Sequence, residues 1–379
     1  MSEFDCSIAE RCSGCPWHAI PYADQGQKKA NELLELLKQQ EIHPLIEPKM
    51  ISPGPQGLRD RVDLVIMQQD GRATIGLYRP GKKTVADMNS CPQMSPALQD
   101  WFQTFRQNLP AITKGSVRLR VAPDGTRGVW LDFANIDVKI LLDEGGWLRS
   151  LMELAIVEVG QRKKRLVEVD GRLKLQDPEF FPWFETLHPQ GSPIPLYSSI
   201  ATFTQPGFEA NRALVGEVLS AVGQLEGRRW LELFCGIGNF TLPLAASGLE
   251  VTAFEVDRLA LNGLEKSQGS IGGDLDLHII AGNAYRIAGL PPLHDYDGIL
   301  VDPPRSGLKN VLQHLQNHLQ PARPAYLVYV SCYTPALVQD LKVLVDLGYS
   351  ITAISGVDQF PQTPHCEWVV TLRRSDLIC

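Results

Sequence analysis

A strand that runs straight into a glycine turn and then a helix constrains this fold more than any other feature. Leu231-Glu232-Leu233-Phe234 leads into Cys235-Gly236-Ile237-Gly238-Asn239, and residues 240–247 read as a helix. The alternation runs from about residue 209 onward, with a helix at 209–222 and strands at 229–234, 250–255, 298–301 and 326–331. Continuous apolar strands separated by helices predict a parallel sheet covered on both faces. Ligands of such sheets bind beyond the carboxyl ends of the strands. Phe234, Glu255, Asn283, Asp302 and Cys332 all fall at those ends.

The first half of the chain is of a different kind. Segments 61–67, 74–78, 117–121 and 128–133 alternate as half-buried strands do, while 27–40 and 147–159 read as amphipathic helices. The Pro- and Gly-rich stretch from His188 to Pro195 marks a boundary. A chain of 379 residues is long enough for two cores. The expected architecture is a β-rich α+β domain over 1–190, then a Rossmann-like α/β domain with a parallel-rich sheet over 191–379. No apolar run approaches the roughly 20 residues of a bilayer span. Met1-Ser2-Glu3-Phe4-Asp5 does not open like a signal peptide. A soluble, cytoplasmic monomer is the expectation. The net charge of -7 argues against a chain coated in basic residues but leaves room for a basic groove.

Gly236-Ile237-Gly238-Asn239-Phe240-Thr241 lacks the third glycine of a dinucleotide fingerprint. Its glycines let the backbone approach a ligand, and Glu255, ending the next strand, can accept ribose hydroxyls with its two oxygens. Nothing favours a pyrophosphate, so a nucleoside such as S-adenosylmethionine fits better than NAD. The plainer alternative is a tight strand-to-helix turn.

Downstream stand Asp302-Pro303-Pro304-Arg305, then Ser331-Cys332, then His365-Cys366-Glu367. A thiol and two carboxylates beside a nucleoside loop suit methyl transfer to a pyrimidine carbon. Uracil C5 is a poor nucleophile; thiolate addition at C6 makes an enolate that can attack a sulfonium methyl. A base must then remove the C5 proton, and one group must hold the ring edge at N3 and O4. Cys332 suits the thiol, Glu367 the base and Asp302 the ring holder. Each has a structural alternative: a small buried hydrophobe, the first residue of a strand over 368–372, and a strand stop. Cys235 and Cys366 are rival thiols.

Eight cysteines in a cytosolic chain favour metal or thiol chemistry over disulfides. Cys6, Cys12 and Cys15, completed by Cys91, have the ligand count for zinc or an iron–sulfur cluster, and spacing does not choose between them. Arg59 with Arg61, Arg79 with Lys82 and Lys83, Arg118 with Arg120, and the run 161–165 are basic clusters able to hold phosphates, with Tyr78 available for stacking.

Taken together, these residues resemble the RNA uracil-5-methyltransferase family over nearly the whole chain. The resemblance rests on Leu233-Phe234-Cys235-Gly236-Ile237-Gly238-Asn239-Phe240, Asp302-Pro303-Pro304-Arg305-Ser306-Gly307, Ser331-Cys332, Phe203-Thr204-Gln205 and the segment from Phe360 to Glu367. It implies Cys332 as nucleophile, Glu367 as base and Asp302 as ring holder. It also implies a cofactor site of Gln205, Phe234, Asn239, Glu255, Asn283 and Asp302. Two positions depart from the family pattern: Tyr333 and Gly207 stand where asparagine is usual. With cysteines beginning at residue 6, no accessory oligonucleotide-binding domain is expected, as in the shorter members that act on large-subunit ribosomal RNA. Those members imply a [4Fe–4S] cluster on Cys6, Cys12, Cys15 and Cys91. Transfer RNA is the rival substrate, and a non-catalytic redox-sensing RNA-binding protein the rival class. A DNA cytosine methyltransferase would carry a Pro-Cys nucleophile, which is missing.

Overall fold

The computed structural model describes residues 4–377 except 45, 111, 134–141, 143–144, 161–162, 273, 287–288 and 318–322. Gln161 and Arg162 of the basic run and the terminal Cys379 lie outside the described residues.

Eight strands form the carboxyl-terminal sheet, in the order Lys49–Ile51, Tyr349–Val357, Glu367–Arg374, Tyr326–Ser331, Gly298–Val301, Arg229–Leu233, Glu250–Glu255 and Leu277–Ala281. Every pairing is parallel except the two made by Glu367–Arg374, which runs against both neighbours. Alternate residues feed two cores. Leu231, Leu233, Ile299, Val301, Leu327 and Tyr329 face one side, and Trp230, Leu300, Val328 and Val330 the other. Both faces are therefore covered, which is why these strands read as unbroken apolar runs.

A second eight-stranded sheet fills the first half: Val85–Asp87, Arg72–Tyr78, Arg61–Gln69, Lys114–Val121, Arg127–Asp132, Ile156–Val159, Lys164–Val169 and Arg172–Gln176. Its core is built around the helix Pro96–Arg106, which buries Leu98, Trp101, Phe102 and Phe105 and is capped by the Ser95 hydroxyl. The helix expected over 147–159 is divided: Gly145–Leu154 is helical and Ile156–Val159 is a strand paired with Arg127–Asp132. The β-branched Ile156, Val157 and Val159 fit a pleated, buried surface better than another helical turn.

The first fifty residues do not stay with their own half. The helix Tyr22–Gln39 places Leu33 and Leu37 in the core of the carboxyl-terminal sheet, and Lys49–Ile51 joins that sheet beside Tyr349–Val357. Residue 190 itself falls in the turn of a hairpin between Phe181–Leu187 and Pro193–Ser198. Among the described residues, no helix is long and apolar enough to cross a membrane.

Candidate active site

Register alone assembles the site. Leu233 pairs with both Val301 and Phe254, so Phe234, Asp302 and Glu255 leave three neighbouring strands side by side. Strand order reverses between Arg229–Leu233 and Gly298–Val301, which opens a crevice there. In the antiparallel pair, Ser331 lies opposite Trp368. One step further, Cys332 stands across from Glu367. The exception to parallel pairing is thus what brings a residue from near the carboxyl terminus to the thiol.

Electrostatics bears out this proximity. Burial, then the like charges of Glu367 and Asp302, push the Cys332 thiol up to about 11, while Arg305 pulls it down by charge and a side-chain hydrogen bond. Burial raises Asp302 to about 7. Glu367 is held well above the usual carboxylate range by burial and by Asp302, with Arg305 opposing. Its Oε2 is buried and has no partner among the described residues. Arg305 is therefore part of the group, although the sequence reading gave it no role; its place three residues after Asp302 was the available signal. The rival thiols differ sharply. Cys235 and Cys366 are buried, held far up by that burial, and spend their S–H groups on backbone carbonyls. Cys332 is only half-buried.

The nucleoside side of the crevice is organised by backbone bonds. Phe234 and Gly236 adopt φ of 66° and 55°, and a side chain at Gly236 would meet open space. Gly238 holds φ of 89°, a conformation that L side chains rarely adopt, and an added Cβ there would also press on Leu264. Glu255 Oε1 accepts from the Val256 and Asp257 amides at 2.7 and 2.9 Å, and Oε2 accepts from Gly236 at 3.1 Å. Three of about four acceptor sites are thus taken by backbone amides, which leaves about one for a ribose hydroxyl. Asn239 exchanges two amide bonds with Asn211 (2.8 and 2.9 Å), and Asn283 Oδ1 accepts from the Tyr285 amide. Gln205 is buried and accepts from Gln359 Nε2 at 3.2 Å. The glycine at 207 is explained by crowding: a Cβ there would lie 2.0 Å from the Leu58 carbonyl oxygen.

One acid went unnoticed in the sequence. Glu232 is buried in the strand below the glycine loop; burial, then Asp302 and Glu255, raise it to about 8. Thr241 donates to its Oε2 at 2.6 Å, and among the described residues its Oε1 has no partner.

The basic clusters fare unevenly. Arg120 is fully buried and donates to Trp183, Ser199, Ile200 and Thr204, so it holds the fold together and is not available to phosphate. Tyr78 is half-buried beneath Lys114. Phe203 is an exposed ring, 66% accessible, with the Arg61 guanidinium 5.3 Å from its centre.

At the amino terminus, burial raises the Cys12, Cys15 and Cys91 thiols, Cys15 to about 12, and each is also raised by the charge of other members of the set, Cys6 among them. The four sulfurs therefore share one neighbourhood. Arg59 lies close to Cys15 and Cys91. Among the described residues, no set of three or more His, Cys, Asp or Glu side chains stands in metal-binding positions.

Comparison with known proteins decides the family. A family model described as tRNA (Uracil-5-)-methyltransferase matches residues 184–268 and 285–375. An uncharacterised RNA methyltransferase of Bdellovibrio bacteriovorus is 39% identical over 378 residues, covering 99% of this chain and 96% of that one. The chain belongs to the RNA uracil-5-methyltransferase family. Another member of this S-adenosylmethionine-dependent family, a 23S rRNA (uracil(1939)-C(5))-methyltransferase of Thiobacillus denitrificans, is 28% identical, covering 97% of this chain and 85% of its own. Among solved structures, the Pyrococcus abyssi tRNA (uracil-54, C5)-methyltransferase in complex with S-adenosyl-L-homocysteine shares the fold. Its TM-score is 0.67 at 20% identity, covering 95% of this chain and 86% of that chain.

Proposed function

We propose that the protein transfers a methyl group from S-adenosylmethionine to C5 of a uridine in large-subunit ribosomal RNA, through a covalent bond between Cys332 and uracil C6. The observation that carries this reading is the placement of Cys332 opposite Glu367, with Asp302 and Arg305 beside both. In this scheme the Cys332 thiolate adds to C6 and C5 attacks the sulfonium methyl, releasing S-adenosylhomocysteine. Glu367 then takes the C5 proton and the C6–S bond breaks. Asp302 holds the ring at its N3–H edge, and Arg305 stabilises the thiolate. The cofactor is cationic at sulfur; Glu255 and Asp302 lie where it would sit, and Glu232 beneath them holds a proton that a nearby positive charge would help it release. Cofactor binding falls to Gln205, Phe234, Asn239, Glu255, Asn283 and Asp302. The uridine must leave its stack to reach Cys332, which favours a loop over a paired stem.

The choice of ribosomal RNA draws on relatives named for that substrate. Purified protein with labelled S-adenosylmethionine is expected to methylate unmodified 23S transcript and leave transfer RNA unlabelled. Label confined to transfer RNA would move the substrate assignment; no label in either would remove the enzymatic reading.

A [4Fe–4S] cluster on Cys6, Cys12, Cys15 and Cys91 belongs to the same reading. What supports it is the donor chemistry: four free thiols within one another's electrostatic reach, with Arg59 beside two of them to offset thiolate charge, which would have to draw together around the metal. Protein purified without oxygen is expected to be brown, with about four irons and four sulfides per chain. Cys91→Ala should lose the iron and destabilise the first half, since metal binding is linked to folding. Stoichiometric zinc without sulfide would overturn the cluster.

A further inference from the structure

We propose that Gln25 and Lys29 of the amino-terminal helix are positioning residues for proton abstraction, clamping the turn that delivers Glu367. This inference rests on the covalent reading above. Residues 358–366 join Tyr349–Val357 to Glu367–Arg374, and Val357 pairs with Glu367 where the turn closes. Loops of this kind are ordinarily the mobile part of a fold. Here the amino-terminal segment grips it at three points. Lys29 Nζ donates to Asp358 Oδ1 at 2.7 Å and to the Phe360 carbonyl at 3.1 Å. Gln25 Nε2 donates to Gln362 Oε1 at 2.8 Å, and Gln25 Oε1 accepts from the Gln362 amide, also at 2.8 Å. The Trp17 amide donates to the Gln362 carbonyl at 2.9 Å.

Two features separate this clamp from ordinary packing. Gln25, Lys29, Asp358 and Gln362 are all at most 2% exposed. A buried ion pair is often no more stabilising than apolar residues of equal volume, so its contribution here is a single geometry rather than extra stability. Gln362 also holds φ of 67°, a conformation that L side chains rarely adopt and that persists where surroundings impose it. The residue fixed in this way lies five positions before Glu367.

The step that depends on this placement is elimination. The Glu367 carboxylate takes the C5 proton, the C–H electron pair restores the C5–C6 double bond, and the C6–S bond breaks to return the Cys332 thiolate. Misplacing a reacting group by about 1 Å can cost on the order of a hundredfold. Thiol addition and methyl transfer use Cys332 and the cofactor crevice on other strands; the turn touches that crevice through Gln359, which donates to Gln205 at 3.2 Å, and the variants below leave both side chains in place. Loosening the clamp should therefore slow release and leave the earlier steps intact.

The test uses the full-length protein and its RNA substrate with three variants: Gln25→Met, the double variant Lys29→Met/Asp358→Leu, and the milder Gln25→Asn. Methylated RNA covalently bound to Cys332 is expected to accumulate on denaturing gels. Release should fall roughly ten- to hundredfold for the first two and less for Gln25→Asn, with KM for S-adenosylmethionine unchanged. Slower turnover with no adduct, or with a raised KM, overturns the inference. If the stronger variants do not fold, Gln25→Asn decides alone: adduct above the parent level supports the clamp, and none overturns it. Glu367→Gln, run in parallel, separates the two readings. Adduct there but not in the clamp variants sinks the clamp; loss of turnover there with no adduct sinks the covalent assignment, and normal turnover there removes Glu367 as the base and the clamp with it.

Discussion

Cys332→Ala is expected to abolish methylation without any RNA adduct, whereas Glu367→Gln is expected to abolish turnover while trapping methylated RNA on Cys332. The two outcomes differ because addition and methyl transfer need only the thiolate, and elimination needs the base. Glu367→Gln should fold, because burial and Asp302 already hold this carboxyl well above its usual range. A neutral amide then replaces a carboxyl whose charged form burial and Asp302 disfavour. To act as a base, Glu367 must be ionised in the complex, and Arg305 and the cofactor's positive charge favour that form. The trapped species should run as a slow band that collapses on nuclease treatment. Normal turnover by Glu367→Gln would remove Glu367 as the base. Adduct persisting in Cys332→Ala would transfer the nucleophile to Cys235 or Cys366, a costly alternative given how deeply both are buried.

What could be read from the sequence, and what could not, divides along sequence separation. Glu250–Glu255, Gly298–Val301 and Tyr326–Ser331 fall where unbroken apolar runs stop at a polar residue, a local signal. The residues at their carboxyl ends were legible for the same reason. Nothing local reveals that Glu367–Arg374 runs antiparallel, yet that direction puts Glu367 across from Cys332. Nor does the three-residue strand Lys49–Ile51 announce a partner about three hundred residues away. Arg120 looked like a phosphate contact because sequence gives charge without burial. Lys29 is one lysine among several on a helix, and nothing local marks it as buried; its ion pair spans 329 positions.

Glu232→Gln is expected to raise stability at pH 8 while leaving it nearly unchanged at pH 5. In the unfolded chain this carboxyl titrates near 4.3, and in the fold burial, then Asp302 and Glu255, lift it to about 8. Between those values the folded state keeps a proton that the unfolded state has released, so stability falls as pH rises through the window. At about 1.4 kcal/mol per unit, the loss between pH 4.5 and 8 is on the order of 3–5 kcal/mol. Glutamine keeps an acceptor for the Thr241 hydroxyl and never ionises, so the variant should lack this part of the slope. Other buried acids, Asp302 and Glu367 among them, contribute slopes of their own. The difference between variant and parent at each pH isolates Glu232. Denaturant midpoints at pH 5 and pH 8 give the comparison directly. Equal pH dependence in the two proteins would mean that Glu232 is ionised in the fold, with its unpartnered Oε1 satisfied by water. In that case the negative charge beneath the glycine loop would be permanent rather than formed by loss of a proton when a cationic cofactor arrives.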